Sequence, residues 1–81
     1  MSDVAQRIHR MIATATGDKT PEEVAAAPSL RELGLDSLAL YAVLDEIEAT
    51  MSLRLDEDPP LGISVAGLVA LVEARLEGPR A

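Results

Sequence analysis

Leu33-Gly34-Leu35-Asp36-Ser37-Leu38 runs directly into Ala39-Leu40-Tyr41-Ala42-Val43-Leu44-Asp45-Glu46-Ile47-Glu48-Ala49-Thr50-Met51. Leu40, Val43, Leu44, Ile47 and Met51 recur at i, i+3, i+4, i+7 and i+11, which is one buried stripe of a helix. Leu38, Tyr41, Asp45 and Glu48 fall on the other side. Asp36 is a good N-cap, because its carboxylate can take an orphan N–H of the first turn. The spacing predicts a helix over Ser37 to Met51. It places one serine hydroxyl at a helix start, at the end of a loop and beside an acidic surface. A serine there can accept a covalent group without being an enzyme's nucleophile.

Working outward, Val4, Ile8, Met11, Ile12 and Ala15 give a first helix from about Asp3 to Ala15, with Ser2 or Asp3 as cap and Gly17 as stop. Val65, Leu68, Val69, Val72 and Leu76 give a closing helix from about Ser64, its N-cap, to Leu76, with Gly78-Pro79 beyond it. The connection from Thr16 to Asp36 carries its own signals. Thr20-Pro21-Glu22-Glu23 is a capping box with proline at the first helical position, predicting a short turn through Ala26. Pro28 ends it. Ser29-Leu30-Arg31-Glu32 repeats the capping-box spacing, and Leu30, Leu33 and Leu35 would pin the connection to the core. Ser52 to Gly62 reads as loop: Leu53 and Leu55 alternate with polar residues but have no second strand to pair with, and Pro59-Pro60 forbids a helix interior. The expected fold class is all-α: a small three-to-four-helix bundle with a long ordered first connection. Residues 1–78 form the single domain and 79–81 a short tail.

Composition narrows the function. The chain has 81 residues and no cysteine, which excludes disulfides and cysteine-based zinc sites. With Tyr41 the sole aromatic, the core must be aliphatic. Net charge is -7, which argues against nucleic acid and anionic membranes as partners. From Glu32 to Asp58 the acids are Glu32, Asp36, Asp45, Glu46, Glu48, Asp56, Glu57 and Asp58, against one base, Arg54. Two readings stand: a surface that steers a partner with a basic patch, or acids that keep a small apolar domain soluble. The N-terminus shows no apolar signal region, and Leu38–Leu44 and Val65–Val72 are too short to span a bilayer, so a cytoplasmic protein is expected. The excess of arginine over lysine and the abundant alanine fit a GC-rich, bacterial source.

Other chemistry finds little support. His9, the sole histidine, has no second histidine or cysteine to complete a metal site or a nucleophile–base pair, and reads as a surface residue. Asp56-Glu57-Asp58 lacks the alternating oxygens and central glycine of a calcium loop, and Pro59-Pro60 breaks the pattern. Ser37 lacks the Gly-x-Ser-x-Gly elbow of a serine hydrolase. The chain is not expected to be an enzyme. For Tyr41 the plain reading is a partly buried ring whose hydroxyl reaches water. An exposed Leu38 beside the serine could enter a partner's pocket.

Leu30-Arg31-Glu32-Leu33-Gly34-Leu35-Asp36-Ser37-Leu38 resembles the attachment motif of acyl carrier proteins, and the similarity runs from the first helix to the end of the closing one. Ala49-Thr50-Met51-Ser52-Leu53-Arg54-Leu55 resembles the segment that follows the corresponding helix in polyketide synthase carrier domains. The resemblance implies that a separate phosphopantetheinyl transferase moves 4'-phosphopantetheine from coenzyme A to Ser37, flanked by Asp36 and Leu38. The arm's thiol would hold an acyl group as a thioester. Leu38, Tyr41, Asp45 and Glu48 would dock acyltransferases, ketosynthases or other acyl-processing enzymes, with the carrier a monomer. The phosphodiester would sit at a helix N-terminus, where free N–H groups and the helix dipole favour an anion. Asp36 is unfavourable for that anion, an effect its capping role or a contact with the transferase would offset.

Two departures matter. Fatty-acid-type carriers place more acids early in this helix, where the present chain has Ala39 and Ala42. This moves the expectation toward polyketide or related specialised-metabolite biosynthesis. Pro59-Pro60 falls where the family has a short third helix, which predicts its truncation. Fatty acyl and aminoacyl or peptidyl carriers share the framework and remain alternatives, although the Leu-Gly-Leu-Asp-Ser spelling leans to acyl cargo. So does a reading of another class, a small acidic helical adaptor without a prosthetic group, in which Ser37 only helps to begin the helix.

Overall fold

The computed structural model describes residues 3–55 and 59–77. Four helices follow in order: α1 (Asp3–Thr16), α2 (Pro21–Ala26), α3 (Ser37–Met51) and α4 (Val65–Glu77), with a 3-10 turn at Arg31–Leu33 between α2 and α3. There is no strand among the described residues. The expected all-α bundle is what forms, and the three long helices fall within a residue or so of the stretches their apolar periodicity predicts. The candidate cap Ser2, the Asp56-Glu57-Asp58 acids, the Gly78-Pro79 stop and the tail lie outside the described residues.

α1 is the shared partner of the bundle. α2, α3 and α4 all lie against it, and α2 also reaches α4. Ile8 and Ile12 of α1 meet Leu40, Val43, Leu44 and Ile47 of α3 and Val65, Leu68, Val69 and Val72 of α4 in one aliphatic core with no buried polar side chain among the described residues. Burying such chains contributes roughly 1.5–3 kcal/mol each, the main favourable term for a domain of this size. Stripe residues at the helix ends differ from expectation. Ala15 is exposed and Met51 half-buried, and Leu76 is exposed. Each stands in the last turn of its helix, past the cover of neighbouring helices.

The long first connection is ordered by the devices its sequence announces. Thr20 Oγ1 accepts from Glu23 N–H at 3.1 Å and Glu23 Oε1 accepts from Thr20 N–H at 2.9 Å, a complete capping box. Ser29 Oγ accepts from Glu32 N–H at 3.2 Å, but here the turn is 3-10. Val24, Leu30, Leu33 and Leu35 are buried in the common core. One pair of ties has no signature in the sequence: Leu30 N–H donates to Ile63 O and Arg31 N–H to Leu61 O, both at 3.0 Å. The connection before Ser37 thus rests on the loop before α4.

That second loop has no helix among its described residues. Residues 53–55 and 59–60 are irregular, Pro59 is buried, and a single turn closes with Ile63 N–H to Pro60 O at 3.0 Å. Proline at both 59 and 60 removes two N–H donors from any helix there. Ser64 then starts α4, its Oγ accepting from Gly67 N–H at 2.9 Å.

α3 ends on Ser52, a non-glycine residue in the left-handed region with φ 55°. L-residues resist that region by about 1–2 kcal/mol, while glycine enters it freely but loses roughly 0.5–1 kcal/mol of chain entropy. Ser52→Gly is therefore expected to stabilise the domain by about 0.5 kcal/mol, seen as a higher urea midpoint at unchanged slope.

Candidate functional site

Ser37 is reached through a short, stiff lead. Gly34 closes the 3-10 turn with φ 84°, a left-handed conformation that glycine adopts at no steric cost, and its N–H donates to Arg31 O at 3.0 Å. The turn redirects the chain between Leu33 and Leu35, both buried, so the next two residues emerge at the surface. Asp36 is extended, and its Oδ1 accepts from Ala39 N–H at 2.9 Å. The expected N-cap is thus in place. Asp36→Ala is expected to cost about 1 kcal/mol and Asp36→Asn much less, since the amide oxygen can also accept this bond; chemical denaturation of both checks it.

Ser37 is the first residue of α3 and is exposed. The N–H groups of Ser37 and Leu38 have no acceptor among the described residues, as befits the head of a helix. No acid lies within the first turn of α3. The hydroxyl therefore stands free at the positive end of a 15-residue helix dipole, a setting that accommodates an attached anion. No group of metal-ligating residues gathers here or elsewhere among the described residues.

A family model for the phosphopantetheine attachment site matches residues 6–58, which include this whole lead and all of α3. The chain belongs to that family. No curated protein and no solved structure matches it. As a member it is a carrier, not a catalyst, and its prosthetic group is covalent 4'-phosphopantetheine. That group supplies a thiol on a long arm. The observed features fit it: an exposed hydroxyl and unengaged amides beside it, with the neighbouring acid, Asp36, holding its Oδ1 on the Ala39 N–H. α4 lies beyond the matched segment and completes the carrier's core through Val65, Leu68, Val69 and Val72.

The other singled-out residues occupy one flank of α3. Leu38 is 78% exposed and Tyr41 49% exposed, two large apolar chains left on the surface of a small domain. Asp45 is exposed. Glu48 is different: it is half-buried, and its Oε2 accepts from Leu55 N–H at 2.9 Å. This seven-residue reach back from the following loop has no signature in the sequence, because loop backbone has no periodicity to betray its donors. Ala39 is half-buried and Ala42 exposed, so the helix near Ser37 presents methyl groups where acids would carry charge.

His9 is half-buried beside α2, in an open groove of ≈ 450 Å³ with Ala5, Gln6, Arg10, Pro21, Glu22 and Ala25. Neither this groove nor those at the end of α3 and beside α4 includes Ser37. No helix among the described residues is long and apolar enough to cross a membrane.

Proposed function

We propose that Ser37 carries the phosphopantetheine arm and that the carrier holds acyl intermediates on it as thioesters. The observation that supports this most is the free Ser37 hydroxyl at the head of α3, presented by Gly34, Leu35 and Asp36 in the Gly-Leu-Asp-Ser-Leu motif. Chemistry at the serine needs no base from this chain, because the phosphopantetheinyl transferase supplies it. A carrier needs only to expose the hydroxyl and to tolerate the phosphate.

The partner face in this reading runs along α3 from Leu38 through Tyr41 to Asp45, with Glu48 at its edge. Leu38 and Tyr41 would fill apolar pockets of acyltransferases, ketosynthases or other acyl-processing enzymes, and Asp45 would meet a basic group. The methyl surface at Ala39 and Ala42 leaves the helix less acidic near the serine than fatty acid synthesis partners are expected to favour. It supports a place in polyketide or related specialised-metabolite biosynthesis.

The test is to incubate the purified protein with coenzyme A and a broad-specificity phosphopantetheinyl transferase and record intact mass. A gain of one phosphopantetheine is expected. Peptide mapping that found the group on any other residue, or no gain with a transferase active on a control carrier, would overturn the reading. Loading the holo-protein in parallel with malonyl, long-chain acyl and aminoacyl donors by their cognate transferases then separates cargo classes, with malonyl-type loading expected.

A further inference from the structure

The end of α3 is held to the loop after it, and that loop to α4, through two side chains. Glu48 receives three of the loop's donors. Its backbone oxygen takes the N–H of Ser52 and, at 3.2 Å, that of Leu53, while its carboxylate takes the N–H of Leu55 at 2.9 Å. From α4, 21 residues further on, Arg75 Nε donates to the intervening Arg54 O at 3.0 Å. Leu53 and Leu55 turn half-buried onto the core between these ties. Ser52, Leu53 and Arg54, with Asp45, Glu48 and Ala49, line an open groove on the flank of α3.

We propose that Glu48 and Arg75 are positioning residues: by clamping residues 53–55 they fix the wall of this groove and with it the shape of the partner face beyond Asp45. The inference rests on the reading of α3 as that face and names which of its residues act through another. Glu48 carries a formal charge on that flank, and one of its carboxylate oxygens, Oε2, is engaged by the Leu55 backbone amide. Its contribution to recognition is the loop it holds, not a charge offered to a partner. The clamp also explains why a left-handed Ser52 is tolerated, since the reversal it makes is secured by bonds to Glu48 from Ser52, Leu53 and Leu55.

Glutamine keeps the acceptor and removes the charge, so E48Q and E48A separate the two roles. E48A and R75A are expected to speed hydrogen exchange of the Leu55 and neighbouring loop amides by about tenfold, the equivalent of one lost hydrogen bond to a charged group. E48Q is expected to restore protection to within about threefold of wild type, as a neutral hydrogen bond is somewhat weaker. With a broad-specificity phosphopantetheinyl transferase and coenzyme A as the probe partner, E48A and R75A are expected to raise KM for the carrier about tenfold with kcat held, and E48Q to rescue it. Equal KM loss in E48Q and E48A would assign Glu48 a charge role and overturn the proposal, as would unchanged loop exchange in E48A or unchanged KM in both alanine variants. The exchange measurement needs no transferase, so failure of the wild type to accept phosphopantetheine would strike the carrier reading at Ser37 and leave the clamp to be judged separately.

Discussion

Ser37→Ala is expected to abolish the gain of phosphopantetheine mass completely while leaving the fold intact. The loss would be total because, in the proposed reading, the arm is joined through the Ser37 side-chain oxygen and alanine has none. The fold survives because Ser37 does not cap its own helix: Asp36 does, through Oδ1 to Ala39 N–H at 2.9 Å. Ser37 is exposed and alanine is the better helix former, so the stability change should stay within about 0.5 kcal/mol, or a few degrees in Tm. Intact mass spectrometry after transferase treatment, paired with a thermal melt, checks both halves. A variant that still gains the group would move the attachment elsewhere. A variant that unfolds would mean that the hydroxyl is structural. The contrast with Asp36→Ala, which should lose stability but keep its hydroxyl, separates the two neighbouring residues by kind of defect.

The second large effect is expected at Leu30. Its side chain is fully buried although it belongs to a connection, not to a helix, and its N–H donates to Ile63 O. Leu30→Ala should cost about 3 kcal/mol, the usual range for an aliphatic truncation that leaves a cavity being roughly 2–5 kcal/mol. In a domain of this size that is much of the total stability, and Tm should fall by more than about 10 °C. The damage also reaches function. Leu30 holds the start of the lead that runs through Gly34 to Ser37, so modification by the transferase should slow even at temperatures where the variant remains folded. Half-buried Leu53 is the natural control, and Leu53→Ala should cost clearly less. A loss below about 1 kcal/mol at Leu30 would show that the connection is a tether, not part of the core.

Much of this carrier follows from its residues alone. The apolar stripe Leu40, Val43, Leu44 and Ile47 sets α3, because a helix that must bury one face shows it at every third and fourth position. Asp36, Thr20 with Glu23, and Ser64 mark helix starts because their side chains satisfy donors that every helix leaves open. Gly34 and Asp36 mark the turn and cap that lead into α3 because a left-handed turn followed by a cap leaves few residue types to choose from. These are local effects, and a sequence records them locally. The tertiary structure decided what depends on contacts between distant segments. It tied the connection at Leu30 and Arg31 to Leu61 and Ile63, it brought the Leu55 amide onto the Glu48 carboxylate, and it reached from Arg75 to Arg54. It also exposed Leu76, although its spacing matches that of Val69 and Val72, because a helical stripe says which face turns inward but not how far along it the neighbours extend. Backbone donors and acceptors are the same at every residue, so only the folded chain shows which of them meet.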